Sequence, residues 1–253
     1  RIDSLYAEHA SGRFDAVGAI GRPGAPPARI SFSGGVDTLA NFAPLARWWR
    51  ERSGVVAEGD VGLDGEGRLA GTLSGTTDAW DVQGDLSLAT FGFASARARA
   101  LHVRGTYAPG RPGAGATVAV AVDVESLAVA GFRMGALHAS AQGPFDGVAI
   151  RAAAALPLDV SLRASLLVAL DAAHLRARID DAQLGLPSGV WTLAGPARLV
   201  VTPDSAVVEG VDLRSGTGRL RADGTLPVRG VADFRLVADS VPVADVYALA
   251  QRD

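Results

Sequence analysis

Residues 160–171 read Val-Ser-Leu-Arg-Ala-Ser-Leu-Leu-Val-Ala-Leu-Asp. Val160, Leu162, Ala164, Leu166, Val168 and Leu170 form one set, and Ser161, Arg163, Ser165, Leu167, Ala169 and Asp171 form the other. A period of two sends alternate side chains to opposite faces of an extended chain, whereas a helix would scatter these apolar residues around its axis. The stretch is therefore a strand with one apolar face and one that is mostly polar or small. Working outward, the same alternation recurs in Leu86-Leu88, Val118-Val120-Val122-Val124, Leu175-Ala177-Ile179, Leu220-Ala222-Gly224-Leu226 and Phe234-Leu236-Ala238. Turn signals separate these runs: Asp64-Gly65-Glu66-Gly67, Pro109-Gly110, Pro144-Phe145-Asp146-Gly147 and Pro203-Asp204. Strands of roughly 7–10 residues, recurring every ten or so, predict an antiparallel all-β protein.

Two segments read as helix. Asp37 can cap a turn carrying Leu39 and Phe42, and Pro44 suits the first position of a second turn with Leu45, Trp48 and Trp49. Ser240 and Pro242 open the other, which places Val243, Val246, Tyr247 and Ala250 on one side. Both segments belong to an internal repeat. Gly12-Arg13-Phe14-Asp15-Ala16-Val17-Gly18-Ala19-Ile20 aligns with Gly218-Arg219-Leu220-Arg221-Ala222-Asp223-Gly224-Thr225-Leu226. Ile30-Ser31-Phe32 then meets Phe234-Arg235-Leu236, and Leu39, Phe42 and Leu45 meet Val243, Val246 and Leu249 at identical spacing. A strand, turn, strand and short helix thus occur twice, a pattern of repeat architectures whose neighbours complete one another's burial. The expected organisation is one elongated repeat domain over 1–253, with approximate units 1–52, 53–150 and 151–253.

Composition narrows the function classes. Apolar residues make up 48% of the 253, charged residues 20%, and the net charge is −3, which argues against a nucleic-acid binder with its clustered basic excess. Every basic side chain is Arg and Asn41 is the sole Asn. Without cysteine there is neither a disulfide framework nor a thiolate zinc site. The longest uncharged stretch, Ala182 to Ala197, is broken by Gly, Pro and Ser, so no segment reads as a membrane-spanning helix of about 20 apolar residues. The opening Arg1-Ile2-Asp3, without Met or a signal peptide, reads as a fragment of a longer chain.

Candidate chemistry is sparse. His102, His138 and His174 are evenly spaced, but neither they nor His9 have a companion ligand at metal-binding spacing, so the regularity reads as strand register on polar faces. Asp60, Asp64 and Glu66 lack the alternating oxygen ligands and closing Glu of a calcium loop, and Asp64-Gly65 reads as a tight hairpin. Asp180-Asp181 reads as a solvated strand end, because adjacent strand residues point to opposite faces and cannot form an acid–base pair. No Gly-x-Ser-x-Gly elbow or dinucleotide fingerprint is present. No cofactor or metal is expected. Trp48-Trp49 beside Arg47, Arg50 and Arg52 has the chemistry of a membrane interface, but reads more simply as a helix that caps the sheet with one indole buried.

One further pattern runs from Val190 onward: a strand Val190-Trp191-Thr192-Leu193, the turn Ala194-Gly195-Pro196, apolar strands Ala197-Arg198-Leu199-Val200-Val201 and Val207 to Leu213, then Ser215-Gly216-Thr217-Gly218-Arg219-Leu220, and Gly224 through Leu249. With Gly59 to Gly84, which resembles the stretch after the helix, this is similar to TamB-type proteins of the AsmA-like superfamily over most of Gly12 to Leu249. The resemblance implies an elongated, curled antiparallel sheet, the β-taco, with one or two short capping helices, in the periplasm of a Gram-negative bacterium. It implies a non-enzymatic lipid conduit or shield supporting phospholipid transport to the outer membrane. The partners implied are phospholipid acyl chains and, through other parts of such proteins, an outer-membrane barrel protein of the BamA or TamA type. The residues expected to line the groove are Phe14, Ile20, Leu86, Leu88, Val118, Val120, Val122, Val160, Leu162, Leu166, Val168, Leu170, Ile179, Leu220, Leu226, Phe234 and Leu236.

The residues alone lead to a compatible place. A sheet with one greasy face must cover it by packing on a second sheet, closing into a barrel, or curling around something apolar. Aromatic residues are only 6%, which fits an aliphatic trough better than a tightly filled sandwich. Some 16–18 strands at about 4.8 Å each would extend roughly 80 Å, too long for a compact domain of this size. The competing expectation is a self-packed extracellular β scaffold or adhesin, although parallel solenoids carry Asn or Gly ladders that one Asn cannot supply. An outer-membrane barrel would need aromatic girdles that the sequence does not display.

Overall fold

The computed structural model describes residues 2–9, 12–19, 21, 28–42, 64–76, 80–93, 96–110, 115–129, 132–144, 146–170, 175–202, 204–227 and 231–250. The chain divides into two compact units, Arg1–Ala130 and Gly131–Asp253. Among the described residues it is all-β, with 18 strands, one 3-10 turn at Leu39–Phe42 and one α-helix.

Unit 1 holds β1 (Ile2–His9), β2 (Gly12–Gly18), β3 (Ala28–Val36), β4 (Asp64–Gly75), β5 (Trp80–Phe93), β6 (Ala96–Ala108), β7 (Thr117–Val124) and β8 (Ser126–Val129). From β1 to β7 each strand pairs antiparallel with the one before it, and β8 continues along β6 where β7 stops. Unit 2 holds β9 (Phe132–Met134), β10 (Leu137–Pro144), β11 (Val148–Ala155), β12 (Ser161–Leu170), β13 (Leu175–Leu186), β14 (Gly189–Leu193), β15 (Ala197–Val201), β16 (Ser205–Ser215), β17 (Gly218–Pro227), β18 (Asp233–Asp239) and α1 (Val243–Ala250). From β10 to β18 this is again an antiparallel meander, in which β14 and β15 lie end to end between β13 and β16. Ala194-Gly195-Pro196 separates the two halves, because proline cannot donate to a ladder.

Turn chemistry closes two of the described connections of unit 2. Gly147 N–H donates to the Pro144 carbonyl at 3.0 Å. Thr202 Oγ1 accepts from Asp204 N–H at 3.2 Å and Ser205 N–H at 3.0 Å, closing the β15–β16 bend.

Bulges keep the apolar residues in phase. On β13, Ser165 pairs with Asp181 while Leu166 pairs with Ile179, so Asp180 is an extra residue. Apolar positions before it fall at Leu175, Ala177 and Ile179 and after it at Ala182 and Leu184, all on one face. Glu209-Gly210 does the same on β16 opposite Asp223, whose carboxylate accepts from Gly210 N–H at 2.6 Å. Ala89 is the extra residue on β5.

Several expectations need correction. Asp64-Gly65-Glu66-Gly67 is not a hairpin turn but the start of β4, paired with Gly92, Phe91, Thr90 and Leu88. Glycine is needed there for close approach: Gly65 has φ +138°, and a Cβ would lie 2.2 Å from the Thr90 carbonyl oxygen. Asp180-Asp181 lies inside β13 at its bulge, not at a strand end. Leu45, Trp48 and Trp49 lie outside the described residues.

Candidate functional site

Antiparallel partners that sit directly opposite share a face, so the registers trace it row by row. In unit 1 one row runs Phe14, Gly34, Leu69, Leu86, Val103, Val122 across β2 to β7. The rows on either side contain Leu88 and Leu101, Val120 and Gly105, and Val118, Tyr107 and Val82. Phe14 and Phe32 stack with ring centroids 6.2 Å apart, and Trp80 tilts against Tyr107 at 5.4 Å. In unit 2 the longest row runs Val148, Val168, Ala177, Leu199, Val208, Gly224, Phe234 across β11 to β18, skipping β14. Neighbouring rows hold Ile150, Leu166 and Ile179, then Leu162 and Leu184, then Leu220 and Ala238, and Ala222 and Leu236. Leu226 pairs with Ala206 on the same face.

The structure therefore places the groove residues expected in each unit on one face of that unit. Ile20 and the Leu170 side chain lie outside the described residues. The face is not sealed. Leu88, Val160 and Val168 are buried, Phe14, Leu86, Val118, Val120, Val122, Leu166, Ile179 and Leu220 are half-buried, and Leu162, Leu226, Phe234 and Leu236 are exposed. A face packed against a second sheet at interior density would leave almost none of these in contact with solvent. The opposite face carries Arg, Asp and Ser, with pairs such as the exposed Arg178–Asp180 at 2.6 Å and the half-buried His102–Asp85 at 2.8 Å. Each contributes at most about 1 kcal/mol. Arg219 grips Asp212 with two hydrogen bonds at 2.8 and 2.7 Å, and Arg214 adds a third at 3.0 Å. Those bonds, Arg219 first, hold the Asp212 carboxyl down at about 2.

One end of the unit 2 face is closed. Val160, Leu186 and Trp191 form a buried cluster flanked by Leu156, Leu184, Leu213, Leu220, Val241 and Ala248, so α1 lies over the end of the apolar rows. Trp191 is 0% exposed, and it fits because Gly218 beside it has no Cβ, which would lie 2.6 Å from the indole Cη2. Asp245 is also fully buried. Its carboxylate accepts from Ser188 N–H at 3.0 Å, from the Ser188 hydroxyl, and from Trp191 Nε1–H at 2.9 Å. Burial alone would push this carboxyl up, but the Ser188 and Trp191 hydrogen bonds outweigh it and hold it below the ordinary carboxylate value.

This arrangement reverses the expected orientation of α1. Its apolar side was expected to pack, yet Val243 is 84% exposed, and Val246 and Tyr247 are exposed too. The reason lies in the donors beneath. A buried indole N–H without an acceptor would cost about 1–3 kcal/mol, and turning Asp245 inward satisfies it together with the part-buried Ser188 donors. The sequence reading passed over Ser188 and Asp245. The signal available for them was a Trp strand preceded by Ser188-Gly189 and followed, after the repeat, by a lone acid among apolar helix residues.

Among the described residues no three His, Cys, Asp or Glu side chains converge as metal ligands, and every buried side-chain polar atom has a partner. No helix is long and apolar enough to cross a membrane. No family model, curated protein or solved structure matches the chain.

Proposed function

We propose that this chain is a non-enzymatic lipid-conduit or lipid-shielding module that holds phospholipid acyl chains on its apolar faces. Its setting, on the resemblance to TamB-type proteins, is the periplasm of a Gram-negative bacterium, where it supports phospholipid transport to the outer membrane and the homeostasis of that membrane. The observation that carries this reading is the half-exposed apolar face, continuous over β11 to β18 in unit 2 and over β2 to β7 in unit 1. Its members are mostly aliphatic, and the described residues include no unsatisfied buried polar group that would select a polar ligand. An acyl chain is the ligand such a surface suits, since each buried methylene is worth about 0.8 kcal/mol without any directional contact.

The test uses two neighbouring residues of β12. Leu166 lies in the apolar row with Ile150 and Ile179, while Ser165 pairs with Arg151 and Asp181 on the other face. Leu166→Arg is expected to keep the fold and lose uptake of a fluorescent fatty acid, with Ser165→Arg retaining both. Global unfolding of Leu166→Arg would instead mark a sealed core with no room for the longer side chain. Unaltered uptake by Leu166→Arg would overturn the assignment of the face. Native mass spectrometry of the purified chain gives an independent check, with co-purifying phospholipid expected.

A further inference from the structure

Helix α1 is held to the sheet in an unusual way for so short an element. Eight residues do not sustain a helix alone, so its order depends on what it touches. Its polar hold is one side chain, Asp245, accepting every bond from the β13–β14 hairpin at Ser188 and Trp191. Its apolar hold among the described residues is Ala248, with Val241 just before the helix. The apolar stripe of Val243, Val246 and Tyr247 faces away from the sheet. The segment connecting it to β18 carries Ser240 in the left-handed region, at φ 52°, followed by Val241-Pro242. Such a conformation in a non-glycine residue is costly to hold and is the kind of position that absorbs a hinge motion. Leu184, Leu213 and Leu220, from the apolar rows at this end, pack against the same Val160, Leu186 and Trp191 cluster as Ala248 of the helix.

We propose that α1 is a hinged lid over one end of the unit 2 apolar face, latched by Asp245, and that its release admits acyl chains to that end. The lid rests on the acyl-binding reading given above and adds to it a place of access and a closing contact. Opening breaks the three latch bonds and uncovers Trp191. An acyl chain moving in restores apolar cover over the indole and gives the outward stripe a surface to pack on, so ligand and latch compete for the same end of the face. A ligand shifts such an equilibrium only by its differential affinity for the open state, which here is the apolar surface that opening uncovers.

The chain contains no cysteine, which makes the latch easy to control. In the full chain, Ser188→Cys with Asp245→Cys gives a form whose latch is absent when reduced and closed when bridged by a short thiol-reactive crosslinker. The rate of fluorescent fatty-acid uptake is expected to be about tenfold higher in the reduced form than in the wild type, the ratio that about 1.4 kcal/mol of lost latch energy produces. The bridged form is expected to fall below the wild type. Hydrogen exchange in the reduced form should accelerate over 241–250 and leave β13, β16 and β17 protected. Equal uptake rates in the reduced and bridged forms overturn the lid. Loss of protection throughout unit 2 overturns it as well, because α1 would then be part of the core. If no form takes up the probe, wild type included, the acyl-binding reading fails and the lid falls with it. Asp245→Asn, which keeps the shape but not the charge of the acceptor, is expected to lie between the wild type and the reduced form.

Discussion

In the copy of the repeat that ends at α1, the third helical residue is an aspartate, fully buried, and the helix completes two turns. In the copy that begins at Gly12, the matching position is Asn41, which is exposed, and the last described residues of that segment, Leu39–Phe42, form a 3-10 turn steadied by Ala40 N–H donating to Thr38 Oγ1 at 3.3 Å. The strands of the two copies follow the same course, with Gly12 to Gly18 and Gly218 to Pro227 each paired on both sides. Spacing alone does not set which side of the segment after the strands turns inward: Leu39 is half-buried and Asn41 exposed, whereas Val243 is exposed and Asp245 buried. Leu39 and Phe42 have the same spacing as Val243 and Val246, yet what each segment becomes depends on the groups waiting beneath it. Under α1 these are an indole N–H and the Ser188 donors, and they fix both the helix and its rotation.

Trp191→Ala removes the largest buried side chain and one latch donor together, and is expected to cost about 3–5 kcal/mol in urea unfolding. Protection at 241–250 should disappear in the same variant. A loss under 1 kcal/mol would mean that the cluster around Val160 and Leu186 stands without its indole. Next comes the pair of matched positions: Asp245→Ala should cost about 1–3 kcal/mol, because it strands the buried indole N–H of Trp191 and removes the acceptor of the part-buried Ser188 donors. Asn41→Ala should stay within about 0.5 kcal/mol, as an exposed substitution does. Equal costs at the two positions would erase the distinction between the copies.

The smallest expected effect is in acid. Asp245 and Asp212 both have folded values below their ordinary ones, Asp212 at about 2. A depressed carboxyl adds stability that is complete above its unfolded value, near 3.9, and is lost as pH falls through the folded value. Unfolding followed by intrinsic Trp fluorescence should therefore show unit 2 weakening below about pH 4, and the Asp245→Ala variant should show a shallower acid limb. An identical limb in the two proteins would assign the acid sensitivity to other carboxylates.

Much of the sheet was legible in advance, and for a physical reason. A strand with one covered and one wet face must alternate, so Val160 to Leu170, Val118 to Val124 and Leu220 to Leu226 declare both their secondary structure and their sidedness. Glycine was less legible because it has two uses. Asp64-Gly65 looks like a turn, but at Gly65 the missing Cβ serves the close approach of Thr90. Adjacent acids misled similarly: Asp180-Asp181 has the composition of a strand terminus and the geometry of a bulge. Asp245 was illegible for the opposite reason. An acid in the first turn of a helix is commonplace, since it favours the helix dipole, and nothing local to it announces that Trp191 lies 54 residues away in sequence and within hydrogen-bond reach in space.

The bulges at Asp180, at Glu209-Gly210 and at Ala89 have a consequence for how such a chain can change over generations. In an ordinary two-faced strand, one inserted residue turns everything downstream inside out, so insertions are purged. Here each extra residue sits unpaired where the phase is reset, and Leu184, Leu213 and Phe91 stay on the apolar side beyond it. Removing Asp180 would send Ala182 and Leu184 to the wet side while leaving strand length nearly unaltered. The sheet can thus gain single residues during evolution without losing its sidedness, and a deletion at the same places is the lesion it is least able to absorb.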